Sequence, residues 1–186
     1  MKKSLNGAIL TVWFGASLYL GMGGYSTIVL DKMKYTLELS PPDSILISKD
    51  GVPKVFGSFR EYEYVRVKDE MESIFPFVEN LISEIGLLVT SMCFGVIGGV
   101  TRILKQITYE EDISIINAQV ISIPVLGMLS GIIMLGLTYL IPTILVEGVQ
   151  NIRPSTLVFL SLFAGLFSKR FYDWLSNSFN KIFPSN

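Results

Sequence analysis

The residues best placed to do chemistry are five alternate positions, Arg60, Tyr62, Tyr64, Arg66 and Lys68, interleaved with Glu61, Glu63, Val65 and Val67. Read as a strand, the segment puts the three cations and two tyrosines on one face. Stacking rings beside fixed positive charge would there grip a phosphate-bearing or single-stranded ligand. A solvated sheet face accounts for the same residues, because Tyr is a good strand former and mixed charge is ordinary on a wet surface; it is the preferred reading. Glu110-Glu111-Asp112 would attract a divalent cation or a basic partner, but three adjacent acids in a polar connector read first as a solvated loop.

The inventory excludes much else. The chain has no histidine and one cysteine, Cys93, so Ser-His-Asp and Cys-His catalysis, His-ligated metals and an intrachain disulfide are all ruled out. No charged side chain lies deep in an apolar segment, and no carboxylate pair falls at catalytic spacing within one helix. Neither an enzyme, a cofactor nor a metal site is expected. A net charge of −1 gives no general attraction for duplex nucleic acid.

These residues hang on a hydrophobic frame. Ile113 to Val146 runs for 34 residues without Lys, Arg, Asp or Glu, whereas about 20 apolar residues of helix cross a bilayer. Half of the 186 residues are hydrophobic and 17% charged, which points the same way. The fold class expected is a mainly α membrane protein with four transmembrane helices, a small β-rich extramembrane module and a C-terminal interfacial helix.

The first span is placed at residues 7–30, with Ser17 and Gly21 forming a small-residue face and Gly23-Gly24 loosening its far end. The module occupies 31–80. Tyr35 to Leu39 reads as a strand interrupted by Pro41-Pro42. Asp50-Gly51 between two apolar runs then signals a hairpin, with Pro53 at an edge. Asp69 to Glu79 carries Met71, Ile74, Phe75 and Val78 at helical spacing, an amphipathic lead-in to the membrane.

Residues 81–170 hold three more spans. The second ends in Arg102 and Lys105 and carries Gly95, Gly98 and Gly99; Gly95 and Gly99 share a face that lets a neighbouring helix approach closely. Arg102 would line a pore mouth, or else snorkel to the headgroups as a terminal cation, the preferred reading. Pro124 divides the long apolar stretch into a surface-lying piece and a span from Pro124 to Ile144, with Gly127 and Gly131 as a GxxxG face. The fourth span covers Ser155 to Ser168 and stops at Lys169-Arg170. In the 171–186 tail, Phe171, Trp174, Leu175, Phe179, Ile182 and Phe183 recur at helical spacing, an interfacial helix with a Trp anchor.

With the N-terminus inside the plasma (inner) membrane, Lys2, Lys3, Arg102, Lys105, Lys169, Arg170 and Lys181 lie on the cytoplasmic side. That favours N-in and C-in, although the module's own cations offset the bias. A cytoplasmic module would be a natural receptor for an intracellular signal.

The Gly-rich span ending in Arg102, the Pro124 then Gly127/Gly131 span, and the closing Gly165-x-x-Ser168-x-Arg170 are together similar to small bacterial multipass membrane proteins that act as channel-type effectors in anti-phage defence. The likeness covers residues 81–176; the acidic residue usual between the Ser and the Arg is here Lys169, and the module lies outside it. The resemblance implies a homo-oligomer that opens a pore when a partner protein or nucleotide signal releases it. An accessory subunit of a larger membrane complex is the alternative.

Overall fold

The computed structural model describes residues 2–38, 45–49, 52–109, 117–145 and 154–182. Six helices and one hairpin make up these residues. Helix α1 is Lys2–Glu38, strands β1 and β2 are Ile45–Lys49 and Val52–Phe56, and α2 is Phe59–Ile74. A 3-10 turn at Pro76–Asn80 leads into α3 (Ser83–Tyr109), followed by α4 (Asn117–Leu145), α5 (Pro154–Leu166) and α6 (Ser168–Ile182).

Helices α3, α4 and α5 pack against one another, and α1 lies along α3. Leu10, Val96, Val100, Ile103, Val120 and Ile123 form the buried apolar cluster, so the N-terminal end of α1 sits at the C-terminal end of α3. Several other large apolar side chains of α1, among them Val12, Leu18, Leu20 and Met22, face outward, while Leu30 is buried. Outward-facing apolar residues suit helices surrounded by lipid rather than water.

Three helices are long and apolar enough to cross a membrane, over Asn6–Glu38, Ser83–Thr108 and Gln119–Tyr139. The four-span count does not stand. Helix α5 has 13 residues, about 20 Å at 1.5 Å per residue, against about 30 Å of hydrocarbon. Its backbone hydrogen bonding nonetheless carries on past its end, since Phe167 N–H donates to Phe163 O (3.0 Å) and Phe171 N–H to Phe167 O (2.9 Å).

The β-rich module is also corrected. β1 and β2 pair antiparallel, Ile47 opposite Lys54 and Ser48 opposite Pro53, a single two-stranded ribbon around the expected turn; Asp50-Gly51 and Pro41-Pro42 themselves lie outside the described residues. Tyr35 to Glu38 is not a strand but the last turn of α1, because Lys32 to Glu38 contains no Gly or Pro to stop the helix. Residues 59–74, expected as strand and lead-in, are one helix. Its start is capped from both sides: Ser58 Oγ accepts from Glu61 N–H (3.1 Å), and the Glu61 carboxylate accepts from the N–H of Gly57, one residue before the cap.

Pro124 does not divide the third span. Helix α4 runs through it, and Pro124 is fully buried where Gly99 of α3 lets the two backbones approach. A proline is tolerated inside a membrane helix when a neighbouring helix closes over the site. Glu110-Glu111-Asp112 lies outside the described residues, as do the side chains of Leu175, Phe179, Ile182 and Phe183.

Candidate functional site

The glycines singled out in the sequence converge on one place. Gly95 faces Gly127 and Gly131 of α4, and its own carbonyl lies against both Gly127 and Gly165, so α4 and α5 close on α3 at this residue. One turn along, Gly98 faces Leu162, Gly165 and Leu166 of α5, and Gly99 faces Ile123 and Pro124 of α4. On the other side Gly131 meets the Ser91 carbonyl. Lipid gives apolar side chains no reason to leave it, so contact between membrane helices rests on close van der Waals packing and hydrogen bonds. Here the small-residue faces supply that contact within a single chain.

A line of hydroxyls reinforces the seam. Ser91 Oγ donates to the Gly131 carbonyl, which leaves Ser161 Oγ as donor in the 2.9 Å Ser91–Ser161 bond. All three residues are buried. Ser130 Oγ donates to Leu126 O (2.8 Å) within α4, and the Tyr172 hydroxyl of α6 is buried without a hydrogen-bond partner among the described residues. At the end of the seam Arg102 Nη1 donates to Ser168 Oγ over 3.2 Å, Ser168 being fully buried and Arg102 half-buried. Arg102 is therefore turned toward the α5–α6 junction. Arg170, the last residue of the motif, is exposed and takes no part in this bond.

A second seam joins α1 to α3 along the expected Ser17/Gly21 face, with Ser17 buried and Gly21 lying against Cys93 and Phe94. Gly24 lies against Gly86 O and Thr90 Oγ1, while Gly86 lies against Gly24 O; Gly24 tightens the far half of α1 where loosening was expected. Thr90 Oγ1 donates to Gly86 O (2.7 Å) and sits 3.4 Å from Gly21 O. Beside this seam an aromatic joint ties α1 to the end of α2. Tyr19 Oη donates to Ile74 O (3.0 Å), and its ring lies 5.1 Å from Phe75 and 5.8 Å from Phe77. Gly23 leaves room for the Phe77 ring.

The expected ligand face does not form. On a helix, residues two apart point about 200° from one another, so Arg60, Tyr62, Tyr64, Arg66 and Lys68 spread around α2. Tyr62 packs on Phe56 (5.3 Å) and Phe59 (6.2 Å), fastening the hairpin to the helix. Arg60 lines an open cleft with Glu63, Met33, Thr36 and Leu37. Arg66 pairs with Glu70 (3.3 Å) and Lys68 with Glu72 (3.4 Å). The Glu72 charge pushes the Lys68 pKa above its ordinary value. The Ser58-x-x-Glu61 cap and the two i,i+4 pairs are the sequence signals that identify this helix.

No family model, curated protein or solved structure matches the chain.

Proposed function

We propose that this protein is a non-catalytic, homo-oligomeric membrane effector that forms a pore or perturbs the bilayer when a partner protein or a ligand acts on the hairpin–α2 module. The observation that carries the reading is the joint at Tyr19. The end of the module's helix meets the side of α1 through the Tyr19–Ile74 hydrogen bond and a ring cluster, so a force applied to α2 is delivered to the longest membrane helix. α1 in turn presents Leu18 and Met22, four residues apart on one face, outward and free to repack against another copy.

A single chain gives a pore nowhere to run, because α3, α4 and α5 close on each other at glycine contacts and the Ser91 and Ser161 hydroxyls bond to each other. A conduction path would then lie between copies. The resemblance of residues 81–176 to channel-type effectors of bacterial anti-phage defence supports the same class. The alternative, an accessory subunit of a larger membrane complex, draws on that same internal closure: chains whose small-residue seams are satisfied at home can act as rigid partners for a different protein.

The test is mass measurement of the detergent-purified chain with planar-bilayer recording and vesicle dye release. An oligomer whose conductance or leak rises when the Tyr19 joint is loosened by Tyr19→Phe with Phe77→Ala is expected. A stable monomer, silent in both assays with and without those changes, overturns the effector reading and favours the accessory one.

A further inference from the structure

We propose that the end of the bundle where α3 meets the α5–α6 junction is a binding site for the phosphate group of an anionic phospholipid. The inference is independent of whether the protein forms a pore. Four cations gather there: Arg102 and Lys105 one turn apart on α3, and Lys169 and Arg170 directly after Ser168. Arg102 is joined to Ser168 over 3.2 Å, which brings the two pairs together across the helices. Among the described residues from Thr101 to Tyr109 and from Ser168 to Ile182, Asp173 is the one acid.

The Arg102 guanidinium has five donors, and Nη1 is the nitrogen engaged by Ser168. That bond fixes the plane of a fork able to meet two phosphate oxygens, which a freely snorkelling lysine does not provide. Lys105, Lys169 and Arg170 are exposed and add charge around it.

The surroundings choose a lipid over a free anion. Phe163 of α5 and Phe167, which follows its end and precedes Ser168, are both exposed, their rings stacked with centroids 6.4 Å apart. They give an acyl chain an apolar wall beneath the cations. Trp174 follows on α6, stacked on Phe171 with centroids 6.1 Å apart; Trp is a ring type enriched at headgroup depth. Phosphate above and hydrocarbon below is the pattern of a phospholipid standing in its own leaflet.

Native mass spectrometry of the full chain in detergent, with phosphatidylcholine, phosphatidylglycerol or cardiolipin added, tests the site. Anionic lipids should be retained in preference to phosphatidylcholine. Lys105→Gln with Lys169→Gln and Arg170→Gln leaves the Arg102–Ser168 bond in place and should weaken retention roughly fivefold per cation removed. Lys32→Gln with Lys34→Gln, exposed on the far half of α1, should change nothing. Inorganic phosphate at constant ionic strength should not displace the lipid. Equal retention of zwitterionic and anionic lipids, an unchanged triple variant that melts like the parent, or an equal loss from the Lys32/Lys34 pair would overturn the proposal. Displacement by phosphate would overturn the choice of a lipid.

Discussion

The seam joining α3 to α4 and α5 and the joint joining α2 to α1 are both built on glycine, yet they oppose motion very differently. At Gly95 the neighbours are the Gly127 carbonyl and the Gly131 amide nitrogen of α4, backbone groups that cannot swing away. At Gly23 the neighbour is the ring of Phe77, the movable end of a side chain. The seam is further bound by the Ser91–Gly131 and Ser91–Ser161 bonds, whereas α2 buries none of its residues. One region holds the helices at a fixed distance; the other lets a small module lean on the bundle and move.

The strongest way to break that contrast is a single methyl. Gly95→Ala or Gly165→Ala drives a Cβ into carbonyls with nowhere to go and should cost about 3 kcal/mol, the upper part of the range for overpacked sites. Gly23→Ala should cost about 1 kcal/mol, because the Phe77 ring can turn aside. Thermal unfolding of the full chain in one detergent compares them, and equal losses would erase the distinction. Tyr19→Phe comes next. It removes one hydrogen bond worth about 1 kcal/mol, and the loss should appear as faster proteolysis between α2 and α3 with the melting of the bundle little changed. Ser161→Ala leaves Ser91 still bonded to Gly131, so about 0.6 kcal/mol is expected from the seam.

The seam was largely legible in the sequence and the module was not, for a physical reason. Gly95, Gly98, Gly99, Gly127, Gly131 and Gly165 are small residues at helical spacing in segments too apolar to be anything but helix, so periodicity names both the element and its contact face. What it leaves open is whether that face meets its own chain or another copy, and here it meets its own. Pro124 misleads because its usual effect on helices assumes water, while a helix buried against Gly99 has a neighbour to close over the gap. In the module, alternating charge and tyrosine mimic a strand over Arg60–Lys68, and the Ser58–Glu61 cap and the pairs to Glu70 and Glu72, read together, reverse the assignment. Nothing local marks Tyr19 as the residue that receives α2, since its partner Ile74 lies 55 residues away.

Smaller effects sharpen the comparison from the other side. Gly136 has nothing within 4 Å of a would-be Cβ, and neither has Gly15. Alanine at either position should stabilise the chain by about 0.5 kcal/mol through helix propensity alone. A penalty there as large as that at Gly95 would mean that membrane glycines matter through backbone freedom and not through contact.

The weakest expected effect lies on the surface of α2. Lys68 is raised above its ordinary pKa of 10.5, first by the charge of Glu72 and then by their hydrogen bond. A folded-state pKa above the unfolded one gives stability that is complete below the unfolded value and is lost as pH rises through the folded one, so Lys68 contributes no pH dependence near neutrality. The pair is partly exposed on the helix surface, which limits it to about 0.3 kcal/mol at low salt. Glu72→Gln should therefore raise amide exchange in α2 slightly at pH 7, with the difference fading as salt is added and vanishing above the Lys68 titration. Exchange in α3 and α4 should not respond. If it did, the module would be coupled to the bundle through the Arg60–Glu63 cleft against Met33, Thr36 and Leu37 as well as the Tyr19 joint, and a signal arriving at α2 would have a second route into the membrane.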